Sequence, residues 1–154
     1  MAITVLQPKG VSQPLGMYSH GMEANGLVVV AGQVGVKPDG GLAGTDAGSQ
    51  TKQAFANVAA VLGAAGCRMR DIVRLQTFLT SADDIPAFMA ARQDVFPVYF
   101  RDGAYPPNTL LVISRLVRPE LRVEIEAIAI KPPRAASKPQ TRRARPARRP
   151  ARRR

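Results

Sequence analysis

The sequence predicts an α+β sandwich: an antiparallel-rich sheet with two helices over one face. Three observations carry that reading. Asn25-Gly26, the strongest short-range signal for a two-residue hairpin, separates two strand-like runs. Two helix-period segments, at 46–65 and from Ile85 onward, alternate with strand-period segments. Two apolar runs, about 108–116 and 122–130, then close the apolar part of the chain. The order is β-β-α-β-α-β-β, with a short additional strand at residues 3–6.

The hairpin spans Tyr18 to Val34, with YSHGMEA and LVVVAGQV on either side of the turn. Lys37-Pro38-Asp39-Gly40-Gly41 follows as a loop of residues that tolerate turn dihedrals. Gly32, Gly35 and Gly44 are read as turn chemistry with it, because no Gly-Lys-Ser/Thr follows to make a phosphate loop. In the first helix Phe55, Val58, Ala59 and Leu62 repeat at i, i+3, i+4 and i+7, and Gly63 and Gly66 mark its end. Ile72 to Thr80 is a strand with Val73, Leu75, Thr77 and Leu79 on one face. Ser81-Ala82-Asp83-Asp84 offers N-caps for the second helix. Its buried stripe is Ile85, Phe88, Met89, Phe96 and Tyr99, and Pro97 kinks or ends it. Val, Leu and Ile occupy both parities of the strands, so the helix-free face of the sheet is expected to be covered by other copies of the chain.

At 154 residues the chain has room for one domain with a real core. No apolar run approaches the roughly 20 residues that span a bilayer, and MAITVLQPKG does not read as a secretory signal. The one cysteine, Cys67, excludes an intramolecular disulfide framework and fits a reducing cytoplasm, the expected location. It reads as a structural thiol, and His20 as a satisfied strand histidine. A lone histidine without a CxxC leaves no metal motif, and no cofactor is expected.

The net charge of +11 hides two different segments. Residues 1–130 carry 11 acidic and 11 basic side chains; residues 131–154 carry the other 11 basic ones and no acid. The chain is therefore expected to divide into an α+β domain at 1–131 and an Arg/Pro/Ala-rich tail at 132–154. With no aromatic and no aliphatic larger than alanine, the tail is predicted to be disordered. Arg142, Arg143, Arg145, Arg148, Arg149, Arg152, Arg153 and Arg154 offer a surface for polyanions such as nucleic acid. That affinity would fall with salt and lack sequence preference. No apolar anchor accompanies the charge, so no membrane partner is expected.

The most informative stretch is Tyr105 to Ala129, YPPNTLLVISRLVRPELRVEIEAIA, in which Glu124 and Glu126 alternate with Ile125 on a closing strand. Together with Gly16-Met17-Tyr18, Ala31-Gly32-Gln33 and Asn57-Val58, it resembles the Rid family, also called YjgF or L-PSP proteins, over roughly residues 5–131. The resemblance implies a chorismate-mutase-like α+β fold. It also implies a homotrimer with a small-molecule cleft between subunits, and hydrolytic deamination of reactive imines or enamines. On that resemblance Glu124 is the catalytic residue, shuttling protons and orienting water. Tyr18 of a neighbouring subunit lines the cleft, and Ala31, Asn108, Thr109 and the Leu110 backbone complete the substrate site. Hydrolysing an imine needs a water, a group to move its proton, and something to hold the substrate still. A partly buried glutamate with a raised pKa suits the second task.

Asn108 departs from the family pattern, standing where deaminating members carry an arginine that grips the substrate carboxylate. Two charge-assisted bonds of roughly 1.5–3 kcal/mol each are lost with it for an anionic substrate. Ala31 lacks the usual serine hydroxyl there, and Leu110 replaces a common cysteine. Arg115, seven residues on, is expected on the opposite face of an unbroken strand; Arg92 on the second helix is the other candidate replacement. Three functions therefore stand open: an imine/enamine deaminase of altered substrate or weakened activity, a non-catalytic metabolite-binding trimer, and a polyanion-associated protein acting through the tail.

Overall fold

The computed structural model of the chain describes residues 2–133. All eight arginines named in the predicted tail lie outside the described residues, as does its predicted disorder beyond Pro133.

One sheet of six strands runs in the order β1-β2-β3-β6-β4-β5. The strands are β1 Ile3–Val5, β2 Gly21–Ala24, β3 Leu27–Val34, β4 Ile72–Leu79, β5 Asn108–Val112 and β6 Val123–Ile130. Two helices, α1 Ala47–Ala64 and α2 Ile85–Tyr99, pack on one face, so the α+β class holds. Asn25 (φ 51°) and Gly26 (φ 82°) both adopt the left-handed region, as a two-residue hairpin turn demands. β2 is shorter than the sequence suggests, for Tyr18 to His20 precede it.

Every strand pair is antiparallel except β4–β5, which is parallel because α2 carries the chain back along the sheet. β5 stops at Val112 rather than 116, and a loop to Arg122 packs Leu116 and Leu121 against Val36 in a small satellite core. In β4 the register shifts between Ile72 and Arg74. This bulge turns Val73 outward, 46% exposed, and gives its expected core position to Ile72.

The main core joins Phe55, Val58 and Leu62 of α1 and Phe88 and Phe96 of α2 to Val28, Val30, Leu75, Leu79, Ile125 and Ala127. Asp46 caps α1, its Oδ1 accepting the Ser49 N–H at 2.7 Å. Met89 leaves the predicted stripe of α2, being about 100° round the helix from Phe88, and Ala91 is buried instead. Pro97 does not end α2 at once: the helix continues to Tyr99, with Gln93 and Pro97 on its exposed side. Pro97 has no N–H to give the Gln93 carbonyl, and Gln93 is an exposed residue.

The opposite face of the sheet carries apolar rows. Val5, Met22, Val29 and Ile128 lie opposite one another across the strands, and Ile3, Ala24, Leu27 and Ile130 form the next row. Most of these side chains are exposed in the single chain. No helix among the described residues is long and apolar enough to cross a membrane.

Candidate functional site

Strand alternation decides where the carboxylates go. On β6, Val123, Ile125, Ala127 and Ala129 enter the core, so Glu124 and Glu126 share the helix-free face. Glu124 lies opposite Val34 on one neighbouring strand and Phe78 on the other. Just before Val34, β3 bulges between Val30 and Gln33. The bulge brings Gly32 under the Glu124 carboxylate so closely that a Cβ on Gly32 would coincide with it. Gly32 is thus not turn chemistry, as its sequence neighbours suggested; it is in-strand space kept free for a side chain.

Gln33 holds the bulge. Its Nε2 donates to the carbonyls of Ala31 (3.0 Å) and Gly32 (3.4 Å) and lies 3.2 Å from His20 Nδ1. Since that amide can only donate, Nδ1 accepts, and Nε2–H of His20 donates to the Ser12 carbonyl at 2.9 Å. His20 is therefore a satisfied, buried side chain, and the Tyr18 ring stands edge-on to it at 6.0 Å.

A cavity of about 410 Å³ opens here, lined by Tyr18, Ala31, Gly32, Val34 and Glu124 with Leu15 and Val117 at its apolar rim. Tyr18 is 44% exposed, and its hydroxyl oxygen accepts the Leu15 N–H at 3.3 Å. One chain thus brings Tyr18, Ala31 and Glu124 together, which differs from the expectation that the tyrosine faces a neighbouring subunit's glutamate. Burial pushes the Glu124 carboxyl above the ordinary carboxylate range, and the charge of Glu126 pushes it the same way. The arrangement presents a half-buried acid, ready to hold a proton, to a space the size of a small metabolite.

Asn108, Thr109 and Leu110 do not reach this cavity. They sit on β5, at the edge of the sheet, with β4 between them and β6. Asn108 Oδ1 accepts the Thr77 hydroxyl at 3.1 Å, on the helix side of the sheet, while Glu124 is on the other side. Thr109, paired with Gln76, alternates to the face that carries Glu126.

The family model described as "Endoribonuclease L-PSP" matches residues 10–131. The chain belongs to the L-PSP, or Rid, family. A 2-iminobutanoate/2-iminopropanoate deaminase of Salmonella typhimurium is 29% identical over 117 residues, 76% of this chain and 89% of the relative. A RutC family protein of Pyrococcus horikoshii is 31% identical over 128 residues, 82% of this chain and 97% of the relative. Among solved structures, Escherichia coli TdcF with bound serine matches at TM-score 0.77 and 25% identity, covering 84% of this chain and 99% of TdcF.

Within this L-PSP domain neither candidate guanidinium enters the Glu124 cavity. Arg115 lies beyond the end of β5, so the parity argument for it does not apply; its Nε donates to the Leu116 carbonyl at 3.3 Å. Arg92 stacks on α2, its guanidinium carbon 4.3 Å from the Phe96 ring centre and 5.7 Å from that of Phe88. It lines a separate cavity of about 280 Å³ with Met89, Gln93 and Tyr105. Cys67 is buried, and burial raises its thiol pKa, with Asp71 adding to the effect, which disfavours the thiolate. Sequence reasoning missed Gly32, Gln33, Leu15 and Val117 as parts of the site. The first two stood inside a quoted motif, but nothing local marks the bulge; the rim residues meet only through the fold.

Proposed function

We propose that this chain is a hydrolytic deaminase of small reactive imines or enamines, acting in the cytoplasm as a homotrimer. The observation that carries the reading is Glu124: a half-buried carboxyl with raised pKa, set over Gly32 and facing a cavity shared with Tyr18 and Ala31. The name of the Salmonella relative, a deaminase of 2-imino acids, supports it, as does the serine bound by TdcF. In this reading a second copy brings Asn108, Thr109 and the Leu110 backbone to the cleft, because one chain keeps them from Glu124.

The reaction needs only water. The water oxygen bonds to the imine carbon as the C=N π pair moves to nitrogen, and Glu124 carries the water's proton to that nitrogen. The carbon–nitrogen bond of the carbinolamine then breaks, its hydroxyl proton leaving with the nitrogen, to give a carbonyl and ammonia. Asn108 offers no charge to a substrate carboxylate, so turnover of 2-imino acids should fall about 10²- to 10⁴-fold short of an arginine-bearing site. Substrates without a free carboxylate beside the imine suit it better.

The test is ammonia release from 2-imino acids generated in situ by an amino-acid oxidase, beside their amide analogues. We expect acceleration over the spontaneous rate, greater for the amides, and its loss in Glu124→Ala. Full turnover in that variant would remove the mechanism. The hydrogen bond that ties Asn108 to Thr77 within its own chain favours a second reading, a trimer that binds a metabolite without turning it over. Saturable binding without acceleration marks that case.

A further inference from the structure

Arg92 carries a charge that nothing described in its own chain neutralises. Its guanidinium carbon stacks 4.3 Å from the centre of the Phe96 ring, and its Nη1 makes only a weak contact with Met89 Sδ, at 3.9 Å. Among the described residues it has no ion-pair partner. Burial pushes its pKa below the ordinary guanidinium value, because the charge has lost part of its water. A guanidinium laid on aromatic rings is held in plane and keeps its outer N–H donors free for a ligand.

The cavity of about 280 Å³ that Arg92 lines is otherwise walled by Met89, Phe96, Pro97 and Tyr105, with the neutral Gln93 amide. No described lining residue is acidic. Such a space fits a carboxylate at the end of an apolar chain: the fork takes the two oxygens, and the rings take the chain.

The position of the cavity gives that carboxylate a role. Tyr105 packs on Phe96 and Phe100, with ring centres 5.6 and 6.1 Å apart, and stands three residues before Asn108. Three residues span at most about 11 Å. Asn108 points to the helix side of the sheet, where α2 packs, and β5 is an edge strand. A second copy that brings Asn108 to Glu124 therefore brings Arg92 with it, set back from the reacting carbon.

We propose that Arg92 determines the substrate class by binding a carboxylate remote from the imine, across an apolar spacer. The inference rests on the deaminase reading, and it places the missing positive charge at a different point of the substrate from Asn108.

The imines that an amino-acid oxidase makes from norleucine and from 2-aminoadipate test it. They share one chain length and a carboxylate beside the imine; only the second has a remote carboxylate. Acceleration over the spontaneous rate is measured for the full chain, Arg92→Gln, Arg92→Lys, Glu124→Ala and, as a charge control outside the cavity, Arg70→Gln. Calorimetry follows binding of the product keto acids, 2-oxohexanoate and 2-oxoadipate, to the same proteins, and melting curves verify their fold. We expect the dicarboxylate to be favoured roughly tenfold or more in both measurements, as one charge-assisted bond implies. The preference should vanish in Arg92→Gln, survive in part in Arg92→Lys, and be kept in Arg70→Gln. Its absence from the full chain, or its persistence in Arg92→Gln, overturns the proposal. Turnover that needs Glu124 but ignores the remote carboxylate overturns it while the deaminase reading stands. A binding preference that needs Arg92, without any turnover, upholds the Arg92 site and removes the deaminase reading instead.

Discussion

Glu124 is easier to protonate in the folded chain than in water, because burial penalises its charge and Glu126 repels it. The sign of the stability effect follows. An acid with a raised folded pKa contributes stability below its unfolded pKa and loses that contribution as pH rises through the folded value. Above that value the chain holds a charge it has partly desolvated. Glu124→Gln should therefore melt higher than the unsubstituted protein in neutral and mildly alkaline buffer, with the gain vanishing below the ordinary carboxylate range. A gain independent of pH would show that lost charge is not its cause. That both carboxylates share a face was legible in VEIEAIA, since period-two alternation is a local property. That Asn108 faces the other side was not, because no local signal gives the pairing of β5 with β4.

At the scale of the element, the bulge in β3 sets the site. Gly32→Ala places a methyl where the Glu124 carboxylate sits, so strand or carboxylate must move. Overpacking of this kind costs roughly 1–3 kcal/mol. The proposed deaminase activity should fall in step with a lower melting temperature, and an active, equally stable variant would refute the fit. Sequence reading does well where the determinant is local: Asn25-Gly26 makes its hairpin and Leu75, Thr77 and Leu79 keep their core face. It fails at both bulges, because one extra residue reverses parity without a compositional mark; Val73 was given the wrong face for that reason, and Gly32 was read as turn chemistry although it lies in the β3 bulge. Asn57 shows the same limit. Its amide donates to the carbonyls of Val34 and Val36, at 3.0 and 2.9 Å, and pins the end of β3 to α1. The sequence displays the asparagine, not the carbonyls it meets.

For the whole molecule, the fold class was legible because two periodicities alternate along the chain, whereas the Glu124 cavity joins segments far apart in it. The apolar rows of the helix-free face supply the argument for assembly. Val29 sits mid-row between Met22 and Ile128, so Val29→Glu would bury a charge in any contact made there. Sedimentation should give three times the 16.5 kDa chain mass for the unsubstituted protein and a monomer with unchanged far-UV dichroism for the variant. A monomeric unsubstituted protein would end the trimer reading. The strand order has one more consequence, for synthesis on the ribosome. Among the described residues β6 is the last strand made, yet it lies between β3 and β4. Until residue 130 emerges, the nascent chain holds two half-sheets with bare, valine- and leucine-rich edges and no strand to join them. The final eight-residue strand closes the domain like a keystone, and before it arrives those edges are open to any neighbouring chain.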